Sequence, residues 1–552
     1  MAKDELVFLP LGGSGEIGMN MNLYGFGPAN RRQWIMIDCG VMFGNLSTPG
    51  VDLICADPTF ILEEKENLLA LILTHGHEDH IGAVGLLAPE FDCPVYATAF
   101  TAKLVESKLE ERGANIDMRV IGIGAKFSIG PFDLEFVTLT HSIPEPNGVI
   151  IRTPLGVVLH TGDWKIDPEP TLGPVTDSST LKALGDEGVL AMVCDSTNVL
   201  SAGESGSEMR VKESLTRIIA AQAGRVAVTT FASNVSRVVS ICEAAYAADR
   251  SVCLLGRSML RIAAAARDVG LLPEGVRFIE PNEAGCLPRE HVLYLCTGSQ
   301  GESRAALSRI ARDDHRDLVL GEGDTVIFSS KIIPGNEREI FTLINDLVDL
   351  GVKIITEKDD FTHVSGHPNR DELKTMYEWV RPRFSIPVHG EARHLETHAD
   401  LAISLGVEDS IAPRNGDLIR LGPGEPEVID EVPAGRWILD GKILMPDGSA
   451  PIRERRKLAS GGIVIVALAI DEHGMLAAEP GVSIIGAPHE TEGVGDVSSI
   501  VGVRAENSVM LLTKAKRLDD EAVELAVTRA VRTEMTAIWG KRPGVAVLIQ
   551  RV

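Results

Sequence analysis

Three histidines and one aspartate fall within six positions near the start of the chain. His75, His77, Asp79 and His80 directly follow the strand-like apolar run Leu68–Thr74. Two histidines two positions apart on an extended loop can turn both imidazoles toward one metal ion, and the next two residues, at the start of a helix-like stretch, can turn toward a second. Zn²⁺ prefers nitrogen and carboxylate ligands of this kind. Two metals about 3.5–4 Å apart suit phosphoryl chemistry, so the pattern indicates a metal-dependent hydrolase.

A polar loop with solvent-facing histidines is the alternative explanation, but such a density of metal-binding residue types rarely arises without a role. Asp38, His141 and Asp163 each follow another strand-like run. Taken singly, each is more often structural. In a layered α/β protein, however, the loops at the strand ends carry the site. We therefore expect these three residues to join the histidine cluster.

The elements that position these residues change in character along the chain. Residues 1–205 show short apolar runs separated by Gly, Pro and Asp, whereas residues 206–362 alternate strand and helix more regularly, as in a second α/β unit. Residues 363–430 return to a histidine-rich segment that completes the first domain. Residues 431–462, rich in Gly, Pro and charge, indicate a linker, and residues 463–552 a small α+β domain. Helices are predicted over Ala102–Arg112, Glu204–Ala223, Asn234–Ala248, Glu337–Leu350 and Asp519–Thr536.

Composition narrows the class of protein. The 552 residues carry a net charge of −25, which argues against a generally basic nucleic-acid coat but leaves nucleic acid open as a substrate. The eight cysteines form no C-x-x-C pair, which is typical of reduced thiols in a cytoplasmic protein. Neither a secretory signal nor a membrane span is expected. Aromatic residues make up only 5%, so contacts with the nucleic-acid backbone are favoured over base stacking, with Arg237, Arg257 and Lys331 as candidate basic groups.

The order of these motifs resembles the metallo-β-lactamase superfamily. His75–His80 matches its H-x-H-x-D-H core, and His141 and Asp163 match its next histidine and its bridging aspartate. Asp38 matches an early aspartate that supports the site. The resemblance implies an αββα sandwich and a metal-dependent hydrolase.

Motifs after residue 190 are similar to those of the β-CASP nuclease branch. Asp195–Asn198 resembles motif A, His363–His367 motif B, and Pro387–Glu391, which contains His389, motif C. Further strings resemble the bacterial ribonuclease J family, namely Leu11–Gly18, Thr230–Asn234, Thr297–Glu302 and Ser330–Glu337. The family implies a metallo-β-lactamase domain over residues 1–205 and 363–430, interrupted by a β-CASP α/β domain over 206–362 and followed by the linker and the C-terminal domain.

The resemblance also implies ligands and catalytic roles. Two Zn²⁺ ions per subunit are expected, with Mn²⁺ or Mg²⁺ left open as activating metals. The first zinc is assigned to His75, His77 and His141, the second to Asp79, His80 and His389, and Asp163 bridges both. His367 would contact the scissile phosphate and Asp195 would orient His367, although Asp195 in Asp-Ser-Thr-Asn could also be only a turn or cap residue.

A pocket for a 5′-terminal monophosphate is implied beside the metals. The matched positions are His363, Val364, Ser365, Gly366 and His367, with Ser233 and Asn234 as weaker candidates. A Ser-Gly segment can offer a hydroxyl and backbone N–H donors to phosphate, whereas a Gly-containing tight turn is the plainer explanation. A structural calcium site is implied for some family members at positions matching Gly50 and Asp52, but the acidic residues usual before it are replaced by Asn45-Leu46-Ser47.

The function implied is that of a zinc-dependent ribonuclease with 5′→3′ exonuclease and endonuclease activity on single-stranded RNA, giving 5′-phosphate and 3′-hydroxyl products in RNA maturation and decay. A cytoplasmic homodimer or homotetramer, with partners in an RNA-degradation complex, is also implied. Three alternatives stay open: a small-molecule metallohydrolase, a DNA nuclease of the same branch, and a non-catalytic scaffold. The β-CASP motifs argue against the first, and the complete ligand set argues against the last. No residue pattern separates RNA from DNA.

Overall fold

The computed structural model describes residues 3–44, 47–333, 335–491 and 495–552. The chain divides into two compact units, of which the first comprises Met1–Met42 and Cys55–Arg436 and the second Phe43–Ile54 and Trp437–Val552. The short strands Val41–Phe43 and Leu53–Ala56 lie where the chain passes from one unit to the other. Within the described ranges, no helix is both long and apolar enough to span a bilayer.

Two sheets form a sandwich in the first unit. The first has eight strands, in the spatial order Glu427–Glu431, Asp417–Gly422, Glu5–Gly12, Met21–Gly27, Gln33–Ile37, Leu68–Ile72, Val95–Ala97 and Met118–Val120. The second has seven, in the order Lys126–Ile129, Phe132–Thr138, Asn147–Thr153, Gly156–His160, Ala191–Asp195, Phe384–Val388 and Asp409–Ser410. Alternate side chains of each strand point inward, so Phe8 and Ile72 of the first sheet share one buried core with Phe136 and Val193 of the second.

Helices complete the layers of this sandwich. Leu184 and Met376 lie on helices that pack a separate core against the seven-stranded sheet, together with Trp164. The helices are Thr59–Glu63, Glu78–Ile81, Val84–Phe91, Ala99–Arg112, Ser178–Glu187, Arg370–Val380 and Ala392–Ser404. The predicted αββα architecture is confirmed. The predicted helix Ala102–Arg112 begins earlier, at Ala99.

A late segment of the chain completes the sandwich. Strand Phe384–Val388 pairs in parallel with Ala191–Asp195, and the register places Val388 opposite Asp195. Strand Asp417–Gly422 pairs antiparallel with the first strand of the chain. As a result, His389, which directly follows Val388, emerges at the same sheet edge as Asp195, although the two residues are 194 positions apart in the chain.

The inserted α/β domain has a five-stranded parallel sheet, in the order Ser251–Leu255, Val292–Cys296, Val226–Thr229, Thr325–Phe328 and Lys353–Ile355. Its strands are short apolar runs, which is typical of strands buried on both faces. Its helices are Glu208–Ala220, Val235–Ala247, Arg257–Asp268, Pro281–Cys286, Ala306–Ala311 and Glu337–Asp349. The first begins later than the predicted Glu204, because the Ser207 side chain caps it by accepting a hydrogen bond from the Met209 N–H.

The second unit contains a mixed three-stranded sheet, in the order Gly481–Ile485, Ile463–Ile470 and Gly544–Arg551. The central strand pairs antiparallel with the first of these and parallel with the last. Its helices are Ala450–Gly461, Val497–Met510, Lys514–Arg517 and Asp520–Trp539. Residues 431–462, expected to be a linker, hold the hairpin of Arg436–Asp440 with Ile443–Pro446 and the helix Ala450–Gly461. The charged residues that indicated a linker form the solvent face of this helix, on which Arg455 pairs with Asp440 at 2.5 Å.

Candidate metal centre

His75 and His77 lie on the loop between strand Leu68–Ile72 and the short helix Glu78–Ile81. The Nε2 atom of His75 is 3.1 Å from Nδ1 of His77, and that atom is 3.0 Å from Nε2 of His141. These three side chains and Asp163 each offer one ligand atom, and all four atoms lie within 4.8 Å of one another. Nitrogens from separate rings this close together have the spacing of ligands that share one ion.

A second group lies beside the first and shares Asp163 with it. Asp79, His80, Asp163 and His389 also offer ligand atoms within 4.8 Å of one another. Oδ2 of Asp163 is 3.2 Å from Nε2 of His80, 3.5 Å from Nε2 of His389 and 3.7 Å from Nε2 of His141. A single carboxylate therefore stands between both sets of imidazoles, which is the arrangement expected of a bridging ligand.

Two observations test whether these residues fit metal ions. Oδ1 of Asp163 and Nε2 of His389 are buried and lack a hydrogen-bond partner, although buried polar atoms are almost always paired. Burial, together with neighbouring imidazoles, lowers the pKa of His77 to about 4 and holds the pKa of His75 and His141 well below the ordinary value. Metal ions bind the neutral imidazole, so His75, His77 and His141 are already in the form that ligates. Burial would also lower the pKa of His80, but the neighbouring carboxylates outweigh burial and raise that pKa.

Asp38 and Asn20 orient the ligands from behind. The Asp38 carboxylate accepts hydrogen bonds from Thr74 N and Thr74 Oγ1, both at 2.8 Å, and its Oδ2 is 2.7 Å from Nδ1 of His80. Nδ2 of Asn20 donates to the backbone oxygen of Asp79, and its Oδ1 is 3.0 Å from Nδ1 of His389. Second-sphere partners of this kind set the tautomer and orientation of a ligand. Sequence reasoning missed Asn20, whose only signal is its place in a glycine-rich loop.

His367 and Asp195 form a pair at the edge of the metal groups. Nδ1 of His367 is 2.8 Å from Oδ2 of Asp195 and 3.8 Å from Oδ2 of Asp163. Burial alone would lower the pKa of His367, but the carboxylates of Asp195 and Asp163 outweigh burial and raise the pKa to about 9. The two carboxylates therefore favour the protonated form of the imidazole. Asp195 also accepts a hydrogen bond from the Thr197 N–H, so the carboxylate that contacts His367 also stabilises the turn that follows Asp195.

The segment from His363 to His367 runs past the metal groups. The Ser365 hydroxyl accepts from Nδ2 of Asn198 at 2.7 Å and from the His367 N–H at 3.2 Å, and the Gly366 carbonyl is 2.5 Å from Nδ1 of His141. A Cβ on Gly366 would lie 2.6 Å from Oγ of Ser142 and 2.7 Å from Cε1 of His141, so only glycine fits. The segment is therefore packed directly against His141, one of the candidate metal ligands.

The other predicted substrate-binding residues differ in their surroundings. Val364 is buried, so it can offer only its backbone, and burial holds the pKa of His363 at about 3. Asn234 is also buried and caps helix Val235–Ala247 by accepting from the Arg237 N–H, while Ser233 precedes that cap. The Asn234 side chain therefore serves the helix. Arg237, expected among the basic groups that face RNA, is instead fully buried.

The implied calcium site lies in the second unit. Asp52 is exposed, and its Oδ2 accepts a hydrogen bond from the Gly441 N–H at 3.3 Å. A Cβ on Gly50 would lie 3.5 Å from the Arg455 guanidinium, a cation. Asn45 and Leu46 lie outside the described residues. Among the residues that the structure describes, the groups of three or more potential ligands all belong to the metal centre of the first unit.

The layered fold, the two ligand groups and the inserted parallel sheet define a metallo-hydrolase of the metallo-β-lactamase superfamily with a β-CASP domain. Family models agree along the chain: "Metallo-beta-lactamase superfamily" matches residues 27–211, "Ribonuclease J, beta-CASP domain" 223–347, "Zn-dependent metallo-hydrolase RNA specificity domain" 351–413 and "Ribonuclease J C-terminal domain" 450–552. The chain belongs to the ribonuclease J family, and it is a hydrolase of RNA.

Individual relatives agree with this assignment. The chain is 49% identical to ribonuclease J of Sinorhizobium meliloti over 100% of this chain and 98% of the relative. It is 35% identical to ribonuclease J 1 of Streptococcus pyogenes over 96% of this chain and 94% of the relative. A crystal structure of a protein of unknown function from Enterococcus faecalis covers 75% of this chain and 100% of its own, with a TM-score of 0.54 and 16% identity, and shares the fold.

Proposed function

We propose that this chain is a two-zinc ribonuclease that removes nucleotides from the 5′ end of single-stranded RNA and also cleaves RNA internally, in RNA maturation and decay. The observation that carries the proposal is the Asp163 carboxylate, which belongs to both ligand groups and lies 3.8 Å from His367. The first zinc would be held by His75, His77 and His141, and the second by the residues grouped around His389. When bound, the two ions would supply a water of lowered pKa and neutralise charge on the phosphate.

We assign His367 to the departing 3′-oxygen. Its Nδ1 is engaged by Asp195, which leaves Nε2 as the nitrogen that can donate to a phosphate oxygen or to the leaving group. The Asp195 carboxylate beside Nδ1 raises the pKa of His367 and so favours a hydrogen on this second nitrogen. A protonated imidazole beside the scissile phosphate favours departure of the 3′-oxygen as a hydroxyl, so the products would carry 5′-phosphate and 3′-hydroxyl ends.

The Ser365 segment is proposed as the site that holds a 5′-terminal monophosphate. The Ser365 hydroxyl accepts two hydrogen bonds, from Asn198 and from the His367 N–H, and therefore keeps its own hydrogen for donation. A phosphate oxygen is a suitable acceptor for that hydrogen and for backbone N–H groups. A 5′-triphosphate is larger and more charged, so a site shaped for one phosphate would disfavour it.

The decisive experiment uses the zinc-loaded full chain and RNA labelled at its 5′ end. Release of labelled mononucleotide from 5′-monophosphorylated RNA, with slower release from 5′-triphosphorylated RNA, is the expected result. Internal fragments from a 5′-triphosphorylated substrate would report the endonuclease. Matched single-stranded DNA is the third substrate, and cleavage of DNA at the same rate would contradict selectivity for RNA. The His473→Ala variant is a suitable control, because His473 is exposed in the second unit.

The resemblance to the ribonuclease J family supports the further proposal of a homodimer or homotetramer in the cytoplasm, with partners in an RNA-degradation complex. Light scattering of the purified chain would measure its mass directly. A monomer at micromolar concentration would contradict the oligomer.

A further inference from the structure

Four charged side chains are buried together beside the metal centre. Lys165, Asp167, Glu208 and Arg237 are each at most 3% exposed, and their formal charges cancel. Burying a charge is costly unless each group is paired and hydrogen-bonded. None of the four is needed to ligate a metal. These four side chains link the loop that follows Asp163 with the inserted domain.

The first half of the network begins at the metal side. Lys165 lies two residues after Asp163, and its Nζ donates to the Gly206 carbonyl at 3.0 Å and lies 3.1 Å from Oδ2 of Asp167. The same Oδ2 accepts from the Glu208 N–H at 2.9 Å, at the first turn of helix Glu208–Ala220. The loop that carries the bridging aspartate is thus attached to the inserted domain.

The second half of the network ends at the phosphate-binding segment. Nε and Nη2 of Arg237 donate to the two carboxylate oxygens of Glu208 at 2.9 and 2.8 Å, which is a bidentate pair. Nη1 donates to Oγ of Ser329 at 2.8 Å and to the Thr362 carbonyl at 3.3 Å. The Ser329 hydroxyl itself donates to that carbonyl at 2.7 Å. Thr362 directly precedes His363, so these contacts fix the point where the segment begins.

We propose that Arg237 and Glu208 are positioning residues that hold the near end of the segment His363–His367 at a set distance from the metals, and so determine the preference for a 5′-monophosphate. This inference rests on the proposed function. The far end of the segment is held independently, by Asp195 on the His367 ring and by Asn198 on the His367 carbonyl. Loosening the near end should therefore disturb phosphate binding more than the chemistry at His367.

Arg237→Lys is the informative variant, because lysine keeps the charge but loses the planar fork that reaches Glu208 and Thr362 together. Ser329→Ala is a milder second variant, which removes only the hydroxyl that bridges Arg237 and the Thr362 carbonyl. Asp324→Asn is the matched control. Asp324 is fully buried and pairs with Arg289 at 2.8 Å in the same domain, immediately before strand Thr325–Phe328 and so at the opposite end of that strand from Ser329.

The measurement is kcat/KM of each zinc-loaded full-length variant on 5′-monophosphorylated and 5′-hydroxylated RNA, together with the rate of internal cleavage and the bound zinc. We expect Arg237→Lys to reduce the preference for the monophosphate by about 10- to 100-fold and the milder Ser329→Ala to reduce it by about two- to tenfold, in both cases chiefly through KM. Bound zinc and internal cleavage should stay near wild type, and Asp324→Asn should keep the preference.

The inference is overturned if Ser329→Ala and any folded Arg237→Lys retain the wild-type preference, or if Asp324→Asn loses it to the same extent. Should Arg237→Lys fail to fold, Ser329→Ala decides alone. A wild-type protein with no preference for a 5′-monophosphate would overturn the proposed function itself, and the two failures are therefore distinguishable.

Discussion

The imidazole of His367 and the carboxylate of Asp195 meet at 2.8 Å although 172 positions separate them in the chain. Asp195 ends a strand of the sandwich, whereas His367 lies in the segment that follows the inserted domain. The chain therefore leaves the sandwich at the sheet edge where Asp195 lies, forms the inserted domain, and comes back to the same edge at His367. Asp195 also acts as a turn residue, because its other carboxylate oxygen accepts a hydrogen bond from the Thr197 N–H. The two roles suggested by the sequence are therefore compatible.

Replacement of Asp195 by asparagine should lower kcat by about 10- to 100-fold, the range typical of lost outer-sphere partners. The carboxylate is the leading cause that opposes burial and raises the His367 pKa to about 9. Because the raised pKa favours the protonated ring, wild-type activity should fall as pH rises through the His367 pKa, and Asp195→Asn should move that fall to lower pH. A pH–rate profile measures this directly. An unchanged basic limb would contradict the assigned pairing.

His77→Ala and Asp79→Ala should each abolish RNA cleavage while leaving the fold intact. His77 belongs to one ligand group and Asp79 to the other, and both are partly exposed loop or helix-start residues outside the sheet core. Bound zinc measured by atomic absorption should fall in both variants, while the circular dichroism spectrum stays that of wild type. Near wild-type rates with full metal loading in either variant would show that the ligand assignment is wrong, and His473→Ala serves as the surface control.

Removal of the metals with a chelator should abolish activity and lower the melting temperature of the first unit. A ligand present at about 100 times its dissociation constant stabilises the folded state by about 2.7 kcal/mol. The unpaired Nε2 of His389 and Oδ1 of Asp163 are the atoms left without partners when the ions are absent. Calorimetry before and after readdition of zinc checks both effects, and equal melting temperatures would contradict a metal centre in this unit.

Ser365→Ala should reduce exonuclease activity more than endonuclease activity. The variant removes the hydroxyl hydrogen available to a terminal phosphate, and hydrogen bonds to charged groups contribute about 1.5–3 kcal/mol, or roughly tenfold or more in kcat/KM. Both rates can be followed on one RNA labelled at each end. An equal loss of both activities would argue against a separate site for the 5′ end.

Gly366→Ala should inactivate the enzyme through His141. The added Cβ would lie within 2.8 Å of the His141 ring, so the ring or the segment must move. We expect a loss of about 100-fold, the upper end of the range for loss of an outer-sphere partner of a ligand. Gly122→Ala is the matched control, because a Cβ at Gly122 meets no atom within 4 Å. Equal activity of the two variants would contradict the close packing of the segment against the ligand.

The sequence by itself determined the residue types of the metal centre, because His75–His80 is a compact motif and the later ligands each follow a strand. It also determined the class of fold, since alternating strands and helices of ordinary length predict layered α/β architecture. Strand Ile463–Ile470 coincides with an eight-residue apolar run that stops before Asp471, so its bounds can be read from the sequence.

Only the tertiary structure decided which residues meet. The 2.8 Å contact of His367 with Asp195, the shared position of Asp163 and the role of Asn20 depend on strand pairing across distant parts of the chain. Burial was equally invisible in the sequence, so Arg237 looked like a surface cation although it is paired with Glu208 inside the protein. Local sequence patterns indicate which chemistry a residue can perform. Long-range packing determines which partner that residue contacts and whether the residue is buried or exposed to water.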